Sequence, residues 1–235
     1  MKLKQTLVAA ALGFGMLTTT GAHAALTLTL GGQGVYDSDL NLTWLANANL
    51  AATNTFGVGG ISASGDMTWN AAQSWIGAMN AANYLGFNDW RLPATLQPDA
   101  SCGSQYNAGA PYGTQFYGYN CTGSEMGHLF YTELGGTAGS SILSSSDPDL
   151  ALFQNVQSSL YWSGTEYAPS TSNAWYFDTG IGFQSAYYKG SSMFAWAVRP
   201  GNSTAVSAVP EPETYAMLLA GLGLLGFTAR RRARS

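Results

Sequence analysis

The chain has 235 residues, of which 9 are basic and 13 acidic, for a net charge of −4 at pH 7. Residues 25–209 hold only three of the basic residues, Arg91, Lys189 and Arg199, against eleven acidic ones, so this central segment carries −8. Such a balance excludes nucleic acid as a partner, because phosphate contacts depend on lysine and arginine, and it disfavours strongly sulfated polysaccharides for the same reason.

At the amino terminus Lys2 and Lys4 precede the apolar run Leu7 to Leu17, and Ala22-His23-Ala24 supplies the small residues a signal peptidase requires. Residues 1–24 therefore read as a signal peptide and Ala25 as the mature start; a short buried helix is the alternative. Residues 25–209 have a length that suits one domain with a full hydrophobic core.

Leu26-Thr27-Leu28-Thr29-Leu30 alternates apolar and polar residues, which predicts a half-buried strand ending at Gly31-Gly32. Tyr36-Asp37-Ser38-Asp39 reads as a turn, Leu40 to Leu45 as a second strand, and Gly57 to Gly65 as a flexible Gly/Ser/Ala stretch. From Thr68 to Leu85 the apolar residues Ala72, Trp75, Ile76, Met79 and Ala82 fall at helical spacing, with Thr68 as N-cap and Gly86 as stop. Thr122-Gly123-Ser124-Glu125 has the capping-box pattern and predicts a second helix of about ten to twelve residues through Met126, Leu129, Phe130 and Leu134. Leu160–Ser163, Ala174–Phe177, Gly182–Tyr188 and Phe194–Arg199 read as strands. Helices followed by a late antiparallel sheet indicate an α+β fold.

Cys102 and Cys121 lie in the exported segment, where an oxidising compartment favours pairing, so one disulfide is expected, worth about 3 kcal/mol in the chain-entropy picture. A free reactive pair is the alternative, although the spacing fits neither redox nor zinc patterns. Between the cysteines stand Tyr106, Tyr112, Phe116, Tyr117 and Tyr119 among Gly, Asn and Gln. Rigid amphipathic rings beside amides suit the flat C–H faces and hydroxyls of sugars, which makes these five the candidate ligand-binding residues; a satellite core beneath the loop is the competing reading. Tyr187, Tyr188 and Trp196 carry the same ambiguity.

Asp37-Ser38-Asp39-Leu40-Asn41 places oxygen-bearing side chains at alternate positions, as a calcium loop begins, but Leu42 and Ala48 stand where such a loop needs Gly and Glu. A turn explains these residues without a metal, and no metal ligand set or cofactor is assigned. For catalysis the raw material is His128 with Glu125 three residues before it; the bland reading is a first-turn glutamate and a partly buried histidine.

The carboxyl terminus holds Pro210-Glu211-Pro212, the apolar run Tyr215 to Ala229 and the basic cluster Arg230-Arg231-Arg232-Ala233-Arg234. Fifteen helical residues rise about 22 Å against a hydrocarbon core of roughly 30 Å, a marginal span needing snorkelling arginines on its cytoplasmic side. Residues 210–235, with a transmembrane helix over 215–229, resemble the PEP-CTERM sorting signal. The resemblance implies inner-membrane anchoring, processing by an exosortase-type protease near Pro210-Glu211-Pro212, and delivery to the cell surface or extracellular matrix.

Tyr36 to Leu45, Met67-Thr68-Trp69, Asp89 with Trp90-Arg91-Leu92-Pro93, Tyr161-Trp162-Ser163 and Ala197-Val198-Arg199 together resemble the domain at the carboxyl terminus of the bacterial collagen-like adhesin Lcl, over about residues 35–200. The Cys102–Cys121 insertion departs from the shortest members. This resemblance implies a C-type-lectin-like fold, similar to that of formylglycine-generating enzymes, with a twisted antiparallel sheet and two flanking helices. It also brings adhesion to sulfated polysaccharide as the family's best-known activity. Trp90, Arg91, Leu92, Pro93 and Arg199 read as structural, because a guanidinium satisfies several acceptors from one point while Trp and Leu fill core. The expected function is non-catalytic adhesion or binding to extracellular polysaccharide, neutral or cation-bridged given the −8 charge. The alternatives are a structural matrix component without a ligand and a lectin-fold enzyme.

Overall fold

The computed structural model describes residues 26–202. The signal peptide over 1–24, the motif Pro210-Glu211-Pro212 and the hydrophobic helix over 215–229 lie outside the described residues. β1 (Thr27–Thr29), β2 (Gly34–Asp37), β3 (Leu42–Leu45) and the last strand, β9 (Val198–Pro200), form one antiparallel sheet in the order β1-β2-β3-β9. The two ends of the domain thus enter one sheet, at its opposite edges, with β9 paired to β3. The expected turn at Tyr36–Asp39 is corrected: Tyr36 and Asp37 pair with Thr43 and Leu42 as strand residues. The reversal falls at residues 38–41, where Asn41 takes a φ of 49° and Asp37 Oδ1 accepts the Leu40 amide at 3.0 Å. Asn tolerates that left-handed conformation better than most residues, and Asp supplies the side-chain acceptor.

α1 (Trp69–Ala81) starts at Thr68, whose hydroxyl accepts the Ala71 amide, and buries Ala72, Trp75, Ile76 and Met79. It stops short of Leu85 because Asn83 and Leu85 adopt φ of 48° and 56°, which a right-handed helix cannot contain. α2 (Glu125–His128) runs on into a wider π turn over Leu129–Glu133, and together they bury Met126, Leu129 and Phe130. At Gly127 an added Cβ would come within 1.8 Å of the Cys121 carbonyl oxygen, so only glycine lets this helix lie against that backbone. The capping box does not form. Ser124 is the N-cap without a side-chain bond to its own helix; its hydroxyl accepts the Leu96 amide at 3.0 Å, while Glu125 turns to Arg91 and the Ala94 amide. A guanidinium is a stronger partner for a carboxylate than a solvated helix-end amide.

The second sheet is a meander of β6 (Leu160–Glu166), β7 (Asn173–Asp178) and β8 (Phe183–Tyr188), all antiparallel. Tyr161 of β6 bridges to Phe194, and the neighbouring Met193 bridges to Met67, just before α1. The cysteine-bounded segment, expected as a loop, is a hairpin of β4 (Ser104–Asn107) and β5 (Thr114–Tyr117). Phe194–Ala197, expected as strand, precedes β9 instead of belonging to it.

Between the sheets and α1 lie the fully buried Trp44, Trp75, Trp90, Trp162 and Trp196. Each indole N–H has an acceptor: Asp37 Oδ2, then the carbonyls of Asn54, Tyr84, Met67 and Leu45, at 3.5, 2.9, 3.0, 2.9 and 2.7 Å in that order. Burying a ring this large without satisfying its donor would forfeit much of the hydrophobic gain. Mixed helix and antiparallel sheet make this an α+β domain. Among the described residues no helix is long and apolar enough to cross a membrane.

Candidate functional site

Cys102 and Cys121 form a disulfide at the base of the β4–β5 hairpin, and the Gly103 amide donates to the Tyr119 carbonyl at 2.7 Å just inside it. Gln97 holds the far edge of β5: its amide nitrogen donates to the Phe116 carbonyl at 2.7 Å and its oxygen accepts the Phe116 amide at 2.8 Å, so one side chain imitates a neighbouring strand. At Gly118, with φ of 104°, the chain leaves β5 and exchanges two backbone hydrogen bonds with Gln184 of β8, docking the hairpin on the second sheet. A side chain at 118 would be strained there and would crowd Ser104.

The register determines which residues meet across this junction. Tyr106 pairs with Gln115 and Ser104 with Tyr117, so these four share one face of the hairpin. Trp175 pairs with Ala186 and Asn173 with Tyr188, which share one face of the sheet. The two faces bound a cleft of about 250 Å³ lined by Tyr106, Gln115, Tyr117, Tyr167, Asn173, Trp175, Ser185 and Ala186. A second cleft, of about 270 Å³, lies on the other side of Gln115 and Trp175 and is lined also by Gln97, Pro98, Tyr112, Thr114, Thr165, Glu166 and Ala168. Gln115 and Trp175 are thus a shared wall, both almost fully buried, with hydroxyls and amides on either side. Tyr167 stands edge-on to Trp175 with ring centroids 5.4 Å apart, and burial, followed by the proximity of Tyr106, raises its hydroxyl pKa.

Of the five predicted aromatics, Tyr106, Tyr112 and Tyr117 line the clefts. Phe116, on the other face of β5, is half-buried, and Tyr119 stands edge-on to Phe183, centroids 5.0 Å apart. Tyr106 and Tyr112 are 59% and 45% exposed, which distinguishes them from the filling of a satellite core. Tyr187 and Tyr188 are both exposed on the edge strand β8, whereas Trp196 is core. Sequence reasoning missed Gln115, Thr165, Tyr167, Asn173 and Trp175. The spacing Asn173, Trp175 was the available signal, since it places an amide and a ring on one strand face.

Trp90 to Pro93 joins the elements. Asn80 brackets Trp90, donating to its carbonyl and accepting its amide at 2.8 Å each, and Arg91 exchanges two backbone bonds with Val198. The Arg91 guanidinium is bidentate on Glu125 at 2.6 and 2.7 Å and reaches the Leu92 carbonyl at 3.1 Å. Leu92 is buried, and the Pro93 carbonyl accepts from Ser163 Oγ and the Gly164 amide. Arg199 is bidentate on Asp89 at 2.8 and 2.9 Å and lies 3.7 Å above the Phe87 ring. Lys189 pairs with Glu166 and lies over Trp69. Every basic side chain among the described residues is therefore committed to a carboxylate.

Of the two readings of Glu125 and His128, the acid–base pair is not assembled: Glu125 stands in the first turn and His128 is partly buried, as the bland reading has it. Glu125 belongs to Arg91, and His128 Nε2 is instead 2.9 Å from Glu133 Oε1. Burial, followed by the negative charge of Asp37, raises the Glu133 pKa, and His128 opposes the rise.

Residues 33–98 match the Lcl C-terminal domain and residues 208–232 match the PEP-CTERM protein-sorting motif. No curated protein matches the chain. The first match takes in β2, β3, α1 and Trp90–Pro93; the β4–β5 hairpin, Tyr161-Trp162-Ser163 and Ala197-Val198-Arg199 lie outside the matched stretch. The second implies an exported surface protein, anchored in the membrane and then cleaved by exosortase.

Proposed function

We propose that this chain is a non-catalytic surface or extracellular-matrix protein whose domain, lectin-like in its use of an ordered loop region, binds polysaccharide across the two clefts beside the β4–β5 hairpin. The observation that carries the reading is the shared wall of Gln115 and Trp175 with Tyr106 and Tyr112 exposed on either side. Each cleft falls below the roughly 300–1,000 Å³ of drug-sized pockets, and a pair sharing a wall suits an extended chain of small units better than one compact molecule. Rings offer apolar area at low entropy cost, and Gln115, Asn173 and Thr165 offer hydrogen bonds to hydroxyls. The engagement of Glu125 with Arg91 rather than with His128 supports the non-catalytic reading.

The preferred ligand is neutral. Arg91, Lys189 and Arg199 already neutralise Glu125, Glu166 and Asp89, so recruiting any of them to a sulfate would leave a carboxylate unpaired. The test is binding of the full-length chain, purified in detergent, to immobilised neutral and sulfated polysaccharides at low and high salt. Saturable, salt-insensitive binding to a neutral polysaccharide is expected. Tight heparin binding that weakens steeply with salt would overturn the reading, and silence on every surface would favour a matrix component without a ligand.

A further inference from the structure

Away from the clefts, two motifs that looked unrelated in the sequence meet. Asp37 ends β2 and Asp39 sits in the following turn; His128 ends α2 and Glu133 ends the π turn. One ligand atom from each of Asp37, His128 and Glu133 lies within 4.8 Å of the others, and Asp39 Oδ2 is 3.9 Å from His128 Nε2. Asp37 is fully buried, the Glu133 side chain is 1% exposed and that of His128 13%, whereas the Asp39 side chain is 48% exposed, so the group opens to solvent on the Asp39 side.

Its hydrogen bonds do not balance. Glu133 Oε1 meets His128, but Glu133 Oε2 is buried with no hydrogen-bond partner. Asp37 receives one amide at 3.0 Å and one indole N–H at 3.5 Å. Three carboxylates therefore converge on a single imidazole, and the three basic side chains of the described residues are paired elsewhere. A buried carboxylate left in this state is costly, and a cation is what the arrangement lacks. The 2.9 Å from imidazole nitrogen to carboxylate oxygen is also close to the edge of a coordination shell whose donors each lie about 2.0–2.2 Å from a zinc ion. One nitrogen with two or three carboxylate oxygens is a donor set for a borderline transition metal rather than for calcium, which takes oxygen alone.

We propose that Asp37, His128 and Glu133, with Asp39 at the open side, bind one divalent transition-metal ion, Zn²⁺ or Mn²⁺, and so clamp the first sheet to α2. The site takes its aspartates from the Asp37-Ser38-Asp39 run and its histidine from the helix, and it replaces Glu125 by Glu133. No metal was expected from the sequence, because neither half makes a ligand set alone.

The test is calorimetric titration of the full-length chain, purified in detergent and stripped with chelator, with Zn²⁺ and with Mn²⁺ separately. Uptake of one equivalent of either ion is expected, with affinity falling at least about tenfold in Glu133→Gln, a substitution that keeps the shape and removes a ligand charge. Absence of uptake of both ions, or uptake undiminished in Glu133→Gln, overturns the proposal. Should that variant not fold, nitrogen-15 imidazole spectra of the wild type decide. The only other histidine is His23. A His128 Nε2 resonance that moves on adding one equivalent of Zn²⁺ supports the site, and one that stays in place refutes it.

Discussion

The tryptophans between the two sheets and the tyrosines of the β4–β5 hairpin are the main aromatic populations of this molecule, and they are buried to opposite extents. Trp44, Trp75, Trp90, Trp162 and Trp196 are covered on all sides, each with its N–H satisfied by a carbonyl or carboxylate. Tyr106 and Tyr112 stand half in solvent beside clefts with amide and hydroxyl walls. The difference lies in what covers each ring. The core rings have a second layer opposite them, whereas the hairpin is held at its base by a disulfide, at its edge by Gln97 and by two bonds to Gln184, all of which fix the backbone and leave the tip rings open. Aromatics held this way stabilise little and remain available for contact.

The contrast is broken most forcefully on the core side. Trp162→Ala should cost about 3–5 kcal/mol, since it empties a fully buried site and removes one of the two donors to the Met67 carbonyl, the Met193 amide being the other; thermal denaturation would measure it. Replacing both cysteines by serine releases a loop with a sequence separation of 19 and should cost about 3 kcal/mol. Hydrogen exchange in that variant should rise first over residues 104–117, leaving α1 protected.

Tyr106→Ala and Tyr112→Ala sharpen the comparison from the other side. Each should change stability by less than about 0.5 kcal/mol, as exposed substitutions do, while weakening polysaccharide binding about tenfold or more. Unfolding and surface-binding assays on the same preparations separate the two effects. The smallest effect belongs to Asp66, whose carboxylate accepts the Ser62 and Ser64 hydroxyls, an arrangement that lowers its pKa. Its stabilisation is present above the unfolded value of 3.8 and is lost as pH falls through the lower folded value. In melting curves across acid pH, wild type should exceed Asp66→Asn by a few tenths of a kcal/mol at neutral pH and converge with it in strong acid.

Local pattern revealed most of the elements. Thr68 as a cap and the spacing of Ala72, Trp75, Ile76 and Met79 were sufficient for α1, because one face of that helix meets the core. Where a residue's partner lies far along the chain, the pattern misled. Thr122 and Glu125 have the spacing of a capping box, but the helix is capped at Ser124, and Arg91 and the amides of Ala94 and Leu96, some thirty residues earlier, take the side-chain oxygens of Glu125 and Ser124. Tyr36-Asp37 looks like turn because its strand partners, Thr43 and Leu42, lie across the reversal. The hairpin strands were hidden because Gly, Asn and Pro interrupt their alternation and because Gln97 and Gln184 support them from outside. Three of the five site aromatics were legible as exposed ring chemistry; Gln115, Tyr167 and Trp175 were not, since only the docking of two hairpins brings them to one wall.

The central claim is most directly tested by an array of neutral polysaccharides probed with the full-length chain in detergent, wild type beside the Tyr106→Ala, Tyr112→Ala double variant. Saturable wild-type binding that the double variant loses while its melting temperature stays unchanged is the predicted result. Wild-type binding that the double variant retains in full would contradict the account, because the clefts beside the hairpin would then not be where this protein meets its ligand.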